Sequence, residues 1–146
     1  MKKLLLVAVI ISYLLTSCDY KSEVRPLKDG FSTFTAKDEK TGEILIGLLE
    51  SNYNKVIIPA DKYTDFDVDK NLILCTKNEG IYAYTRDGKA ISPLCFKTFN
   101  SIELGTYYTA THANDRYIYY PETKLLIQIN NSLIVGGHLI TELGGG

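Results

Sequence analysis

Between residues 31 and 129 the chain alternates short apolar runs with turn-forming segments, and no dozen residues show the 3.6-residue period of a helix. β-Branched, aromatic and aliphatic residues dominate the runs, as is typical of strands. The runs occupy residues 44–46, 56–58, 72–74, 81–84, 107–108, 117–120 and 125–129. Segments of turn-forming residues separate these runs, and the pair Asp87 and Gly88 predicts a hairpin with a type I′ turn. The sequence therefore predicts an all-β domain.

The predicted strands recur with a period of 34 to 35 residues. When residues 56–89 are laid over residues 90–124, a Tyr-Ala-Tyr segment falls on a Tyr-Ile-Tyr segment, and a partial third copy precedes both. Evenly spaced strands in an ordinary β-sandwich are the alternative explanation. Because a lone unit of this size cannot bury both faces, we expect two to three repeated antiparallel hairpin or meander units stacked into one domain.

A glycine that opens one strand, a Gly-Lys turn and an Ile-Ile-Pro segment recur in this region. The glycine is Gly80, the turn contains Gly88 and Lys89, and the third segment is residues 57–59 followed by Tyr63 or Phe66. Over about residues 43–129 the chain thus resembles WG-repeat proteins, although it has no tryptophan. The resemblance implies β-rich units that serve as binding or scaffolding elements, and it brings no catalytic residues.

The first residues combine two lysines with an apolar run over residues 4–15 and then small residues. A dozen helical residues span only about 18 Å, too short for a hydrocarbon core of about 30 Å. Residues 15–18 read Leu-Thr-Ser-Cys, which resembles the lipobox of bacterial lipoproteins. The resemblance implies removal of residues 1–17 and a lipid anchor on Cys18. The alternative is an ordinary secretory signal that leaves Cys18 as a free thiol.

After cleavage, residues 18–30 are expected to form the lipidated cysteine and a polar tether, and residues 31–146 the β-repeat domain. The segment after residue 17 carries 14 Lys+Arg and 17 Asp+Glu, a formal charge of −3, without a basic block. Nucleic acid is therefore not an expected partner. We expect the protein in the cell envelope. Asp19, directly after the cysteine, resembles both a signal for retention in the inner membrane and the acidic residues that accompany surface display of lipoproteins, and of the two we favour the outer membrane or cell surface.

Cys75 and Cys95 remain once Cys18 is lipidated. In an oxidising compartment they could form a disulfide that closes a loop of about twenty residues. Otherwise they are buried thiols that pack as small hydrophobes.

The tyrosines concentrate in two predicted hairpins. Tyr82 and Tyr84 alternate along one strand, as Tyr117 and Tyr119 do along another, so each pair shares a face. Such a surface would suit a protein or glycan partner. The alternative is aromatic packing between strands that contributes to stability alone.

No motif for catalysis, a cofactor or a metal is present. Asp65, Asp67 and Asp69 resemble the start of a calcium loop, but Lys70 stands where that loop needs glycine, so a solvated strand edge is the better interpretation. The sequence contains two histidines, His112 and His138, so it offers few imidazole ligands for a metal site and few bases for a catalytic triad.

These patterns indicate a lipid-anchored envelope protein that acts as a non-catalytic binding or interaction module, with no cofactor and an unknown protein or glycan partner. The alternative function is that of an inhibitor or immunity lipoprotein, which would protect the envelope from an enzyme or toxin.

Overall fold

The computed structural model describes residues 23–52, 55–129, 133–135 and 138–140, and nearly all of their regular structure is strand. A single turn of 3₁₀ helix, Glu103–Gly105, interrupts the strands. The strands are β1 (Val24–Pro26), β2 (Phe31–Lys37), β3 (Ile44–Glu50), β4 (Lys55–Asp61), β5 (Asp65–Val68), β6 (Leu72–Lys77), β7 (Gly80–Thr85), β8 (Thr98–Ile102), β9 (Tyr107–His112), β10 (Asp115–Tyr120), β11 (Leu125–Ile129), β12 (Leu133–Val135) and β13 (His138–Ile140).

The strands form three antiparallel meanders in chain order. The first sheet contains β1 to β4, the second β5 to β7 and the third β8 to β11, while β12 and β13 pair only with each other. The sheets do not close into a barrel. Equivalent strands of the second and third sheets start 35 residues apart, β6 and β9 at Leu72 and Tyr107, and β7 and β10 at Gly80 and Asp115. The prediction of an all-β domain built from stacked meander units is confirmed.

Apolar side chains of the first and second sheets pack against each other in a first core. Strands β2 to β4 contribute one side of it, and β5 and β6 contribute the other. Its buried members are Phe31, Leu48, Ile57, Ile58, Tyr63, Phe66, Val68, Ile73 and Cys75. The first sheet is thereby held to the second along the length of β6.

A second core lies between the second and third sheets. Its buried members are Leu72, Ala83, Phe96, Phe99, Tyr108, Ala110 and Tyr119. Successive residues of β6 thus point to different cores, since Leu72 lies in the second core and Ile73 in the first. A strand covered on both faces has no solvated side, which explains why β6 opens with an unbroken apolar run.

Arg86 links the first two sheets at the edge of their core. Its guanidinium lies 4.9 Å from the centre of the Phe31 ring in β2. The same group donates hydrogen bonds to the carbonyl oxygen of Asp69 and, at 3.2 Å, to that of Asp29. One side chain therefore contacts an aromatic ring and two backbone carbonyls that belong to different parts of the stack.

The segment expected to be a tether is partly folded. Val24–Pro26 pairs with β2 as an edge strand, with Val24 opposite Phe34 and Pro26 opposite Ser32. Proline is compatible with this position because an edge strand leaves one row of backbone groups unpaired. Residues 24–26 of the expected tether therefore belong to the first sheet.

The predicted hairpin at Asp87 and Gly88 forms with a different turn. Gly88 has φ +84°, while Asp87 does not have the positive φ that a type I′ turn requires. The Thr85 amide donates to the carbonyl of Lys89 at 2.8 Å, which encloses a three-residue loop. A Cβ atom at Gly88 would lie 2.3 Å from the carbonyl oxygen of Ile57, so a side chain there would strike the first sheet.

Candidate functional site

Tyr82 and Tyr84 share the face of β7 that packs against the first core. The hydroxyl of Tyr84 lies 3.0 Å from that of Tyr63. The ring of Tyr82 lies 5.1 Å from the ammonium nitrogen of Lys77, and its hydroxyl donates to Oε1 of Glu79 at 3.1 Å. Burial, followed by hydrogen bonding to Cys95 and Glu79, raises the pKa of Tyr82 to about 12. Both tyrosines are thus held by contacts inside the protein.

Tyr117 and Tyr119 face the second core instead. Tyr119 is only 1 % exposed, and its ring centre lies 6.3 Å from that of Tyr108. Tyr117 packs edge-on against Phe96 at 5.9 Å. The repeat predicted that the two pairs occupy equivalent positions, but every such position turns towards the preceding sheet. Tyr119 is buried against the preceding sheet and the other three rings are partly buried against theirs, so the four tyrosines do not form one exposed surface.

Cys75 and Cys95 do not form a disulfide. Cys75 is fully buried in the first core. The Cys95 thiol is partly exposed and donates to the carbonyl oxygen of Glu79 at 3.2 Å. Of the two alternatives, the structure contains two thiols, one inside a core and the other beside the turn between β6 and β7.

The two thiols are expected to differ sharply in reactivity. Burial raises the pKa of the Cys75 thiol to about 12, so almost no thiolate is present near pH 8. Iodoacetamide should alkylate Cys95 in the folded protein and Cys75 only after denaturation. Mass analysis of the tryptic peptides measures both sites in one sample. Equal labelling of the two cysteines in folded protein, or a linked peptide without added oxidant, would contradict this placement.

A groove of about 470 Å³ lies between the second and third sheets, at the end where β6 turns into β7 and β9 turns into β10. We call it the inter-sheet groove. Its lining residues are Asn78, Glu79, Gly80, Cys95, Lys97, His112 and Ala113. Its volume falls within the range of about 300–1,000 Å³ that ligand pockets occupy.

The walls of this groove are joined by backbone contacts. The amides of Ile81 and Phe96 each donate to the carbonyl of the other residue at 2.8 Å. At Gly80, where φ is +144°, a Cβ atom would lie 2.7 Å from Sγ of Cys95 and 2.6 Å from the carbonyl oxygen of Phe96. Only glycine permits so close an approach, so Gly80 determines how the connection meets β7.

His112 enters the groove from the end of β9. Its Nδ1 lies 2.6 Å from the carbonyl oxygen of Cys95, which fixes the ring against the connection between the second and third sheets. The imidazole therefore contacts the backbone of Cys95, while the thiol of that residue donates to Glu79. This is not the base-to-nucleophile contact that activates a cysteine. The groove instead presents a carboxylate, an ammonium group, an amide and an imidazole around one cleft, an arrangement suited to holding a polar group.

Two of the three aspartates in and after β5, Asp67 and Asp69, have structural partners. Asp67 forms an ion pair with Lys28, in which Oδ1 lies 2.6 Å from the ammonium nitrogen. Asp69 accepts hydrogen bonds from the amides of Asn71 and Leu72 and from the hydroxyl of Tyr108. β5 exposes Asp65 and Asp67 and buries Phe66 and Val68, which is the alternation of a strand with one solvated face. Across the described residues, no three His, Cys, Asp or Glu side chains are grouped to hold a metal.

The predicted lipidation site, Cys18, lies outside the described residues, as does the side chain of His138. Within the described part of the chain, no helix has the length and apolar character needed to cross a membrane. The sequence matches no family model and no curated protein.

Proposed function

We propose that the protein is an exported lipoprotein, anchored by lipid on Cys18, whose β domain is a non-catalytic interaction module. The anchoring half rests on residues 1–18, where a charged start, a short apolar run and Leu-Thr-Ser-Cys follow one another. The envelope is the compartment in which such an anchor functions, with the outer membrane or cell surface preferred.

The interaction half rests on one observation, the inter-sheet groove. Its polar side chains come from two stacked units and from the connection between them, so the site exists only when the units are packed. Charged and amide groups around a cleft orient a polar partner, such as a glycan or the polar side chains of a protein segment.

Reversing one charge in the groove should weaken binding. Lys97 is exposed at its edge, and Lys97→Glu would place a second carboxylate near Glu79. We expect the amount of partner retained from an envelope extract, separated into protein and glycan fractions, to fall at least about tenfold, which corresponds to about 1.4 kcal/mol, because the reversal removes an attractive charge at the rim of the groove and introduces a repulsive one.

Lys40→Glu provides the matched control, because Lys40 is exposed in the turn between β2 and β3 and the change in net charge is the same. This variant should retain the partner like the wild-type protein. Equal loss in both variants would indicate a general charge effect and would remove the groove from the proposal. Equal retention in both would show that binding uses another surface.

A further inference from the structure

The edges of the three sheets differ in how they avoid pairing with other chains. Edge strands are commonly protected by charged residues, by proline or by a covering segment. Charged residues or proline protect three of the edge strands: Arg25 and Pro26 in β1, Lys55, Pro59 and Asp61 in β4, and Asp65 and Asp67 in β5. The edge of β7 is covered by the segment that follows it, because Ala90 and Phe96 form isolated β-bridges with this strand. β8 has no charge, but it exposes polar side chains rather than large apolar ones.

Strand β11 has none of these protections. Its sequence is Leu-Leu-Ile-Gln-Ile, it is the last strand of the third sheet, and no other described strand pairs with its second edge. Leu125 is 51 % exposed and Ile127 is 42 % exposed. Among the edge strands in the described residues, β11 is the one that combines an uncharged, proline-free backbone with exposed large apolar side chains.

The exposed side chains of β11 continue an apolar face of the same sheet. Leu125 lies opposite Tyr120 and Ile127 opposite Ile118 in the pairing with β10. In the second sheet, the equivalent face carries Ala83 and packs into the second core. On this face of the third sheet Ile118 is only 1 % exposed, whereas Leu125 and Ile127 remain accessible, so the accessible apolar part of the face lies along its last strand, β11.

The sequence of β11 is compatible with antiparallel pairing to itself. With a two-fold axis at Ile127, this residue meets its own copy, Leu125 meets Ile129 and Leu126 meets Gln128. A two-fold axis places equal charges opposite each other wherever a charge lies on the axis, and this costs stability. β11 contains no charge, so every pair in this register is either apolar or apolar with one amide.

We propose that β11 is a docking edge for a second copy of this chain, and that the two copies pair antiparallel about Ile127. The third sheets then form one continuous eight-stranded sheet across the two-fold axis. Leu125, Ile127 and Ile129 of both copies lie on the same face of that sheet, beside Ile118 and Tyr120. A strand pair of five residues is a small interface, so the dimer is weak and reversible.

The test measures the mass of the full chain in density-matched detergent by sedimentation equilibrium, at concentrations up to about 1 mM. The wild-type mass should rise from one chain to two. Ile127→Lys and Ile127→Glu should each raise the dissociation constant at least about tenfold, because each places like charges on the axis. An equimolar mixture of the two variants should recover the dimer, since Lys then faces Glu.

Val56→Lys is the matched control, because Val56 is 51 % exposed on the edge strand β4 of the first sheet. It should dimerise like the wild-type protein. A wild-type chain that remains single at every concentration would overturn the proposal, leaving β11 to the chain's own C-terminal residues or to a strand of another protein. Dimerisation of both Ile127 variants, or failure of their mixture to recover, would also overturn it.

A second readout covers the case in which a charge at position 127 disturbs folding. Ile127→Cys keeps the side chain small and uncharged, and antiparallel pairing on the axis brings the two Cβ atoms to about 4.5–5.5 Å. Mild oxidation should then link two chains through residue 127. A link through Cys95 alone, with residue 127 unmodified, would contradict the register.

Discussion

Replacing Cys18 with alanine is expected to abolish both lipid attachment and removal of residues 1–17. The thiol of Cys18 is the atom that would accept diacylglycerol, and the peptidase that cleaves lipoproteins acts on the lipidated precursor. The Cys18→Ala protein should therefore accumulate at full length, held only by its uncleaved apolar run. The wild-type protein should partition into detergent and resist a salt wash, since each buried CH₂ group of a lipid chain contributes about 0.8 kcal/mol.

Immunoblots of membrane, detergent and soluble fractions measure this outcome. Ser17→Ala is the matched control, because it changes the neighbouring residue but keeps a small side chain before the cysteine. It should be processed and anchored like the wild-type protein. If Cys18→Ala were cleaved to the wild-type size and released as soluble protein, the segment would be an ordinary secretory signal.

Phe96→Ala is expected to cause the largest loss of stability among single changes in the domain. Phe96 is fully buried and lies in the connection between the second and third sheets. Its ring packs edge-on against Phe99 at 5.3 Å and against Tyr117 at 5.9 Å. Truncation of a buried phenylalanine costs about 3–5 kcal/mol, a large part of the about 5–15 kcal/mol that stabilises a typical domain.

Urea unfolding followed by circular dichroism measures the free energy of unfolding for this variant. Leu104→Ala provides the comparison, because Leu104 is 91 % exposed and its loss should change stability by less than about 0.5 kcal/mol. A loss below about 1 kcal/mol in Phe96→Ala would mean that the second core does not depend on this ring.

The sequence was sufficient to predict the strands whose apolar runs are longest. Runs in β3, β4, β6, β7, β9, β10 and β11 are predictable because β-branched and aromatic residues cluster between turns. The sequence does not predict β1, β2 and β8 as individual strands, because they contain proline or several polar residues and are strands because of their neighbours. Propensity is a weak guide at sheet edges, where pairing decides the conformation.

The candidate site was less accessible to sequence reasoning. Alternation correctly placed Tyr82 with Tyr84 and Tyr117 with Tyr119, but alternation cannot say whether a face is open to solvent or covered by another sheet. The repeat contains a weak indication of where the inter-sheet groove lies. Glu79 and His112 lie in or beside equivalent turns, which a period of 35 residues places at the same end of neighbouring units. The contribution of Cys95 and Lys97 depends on the path of the connection, which no pattern encodes.

The connections within each sheet are short, and this bears on how the chain reaches its native state. Each strand pairs with its neighbour in sequence across only two to six residues. Closing such loops costs little entropy, so each meander can form as soon as its own segment is available, without waiting for distant residues. The slower events are then the meetings of completed sheets, and the order in which the sheets appear can follow the order in which the chain is synthesised.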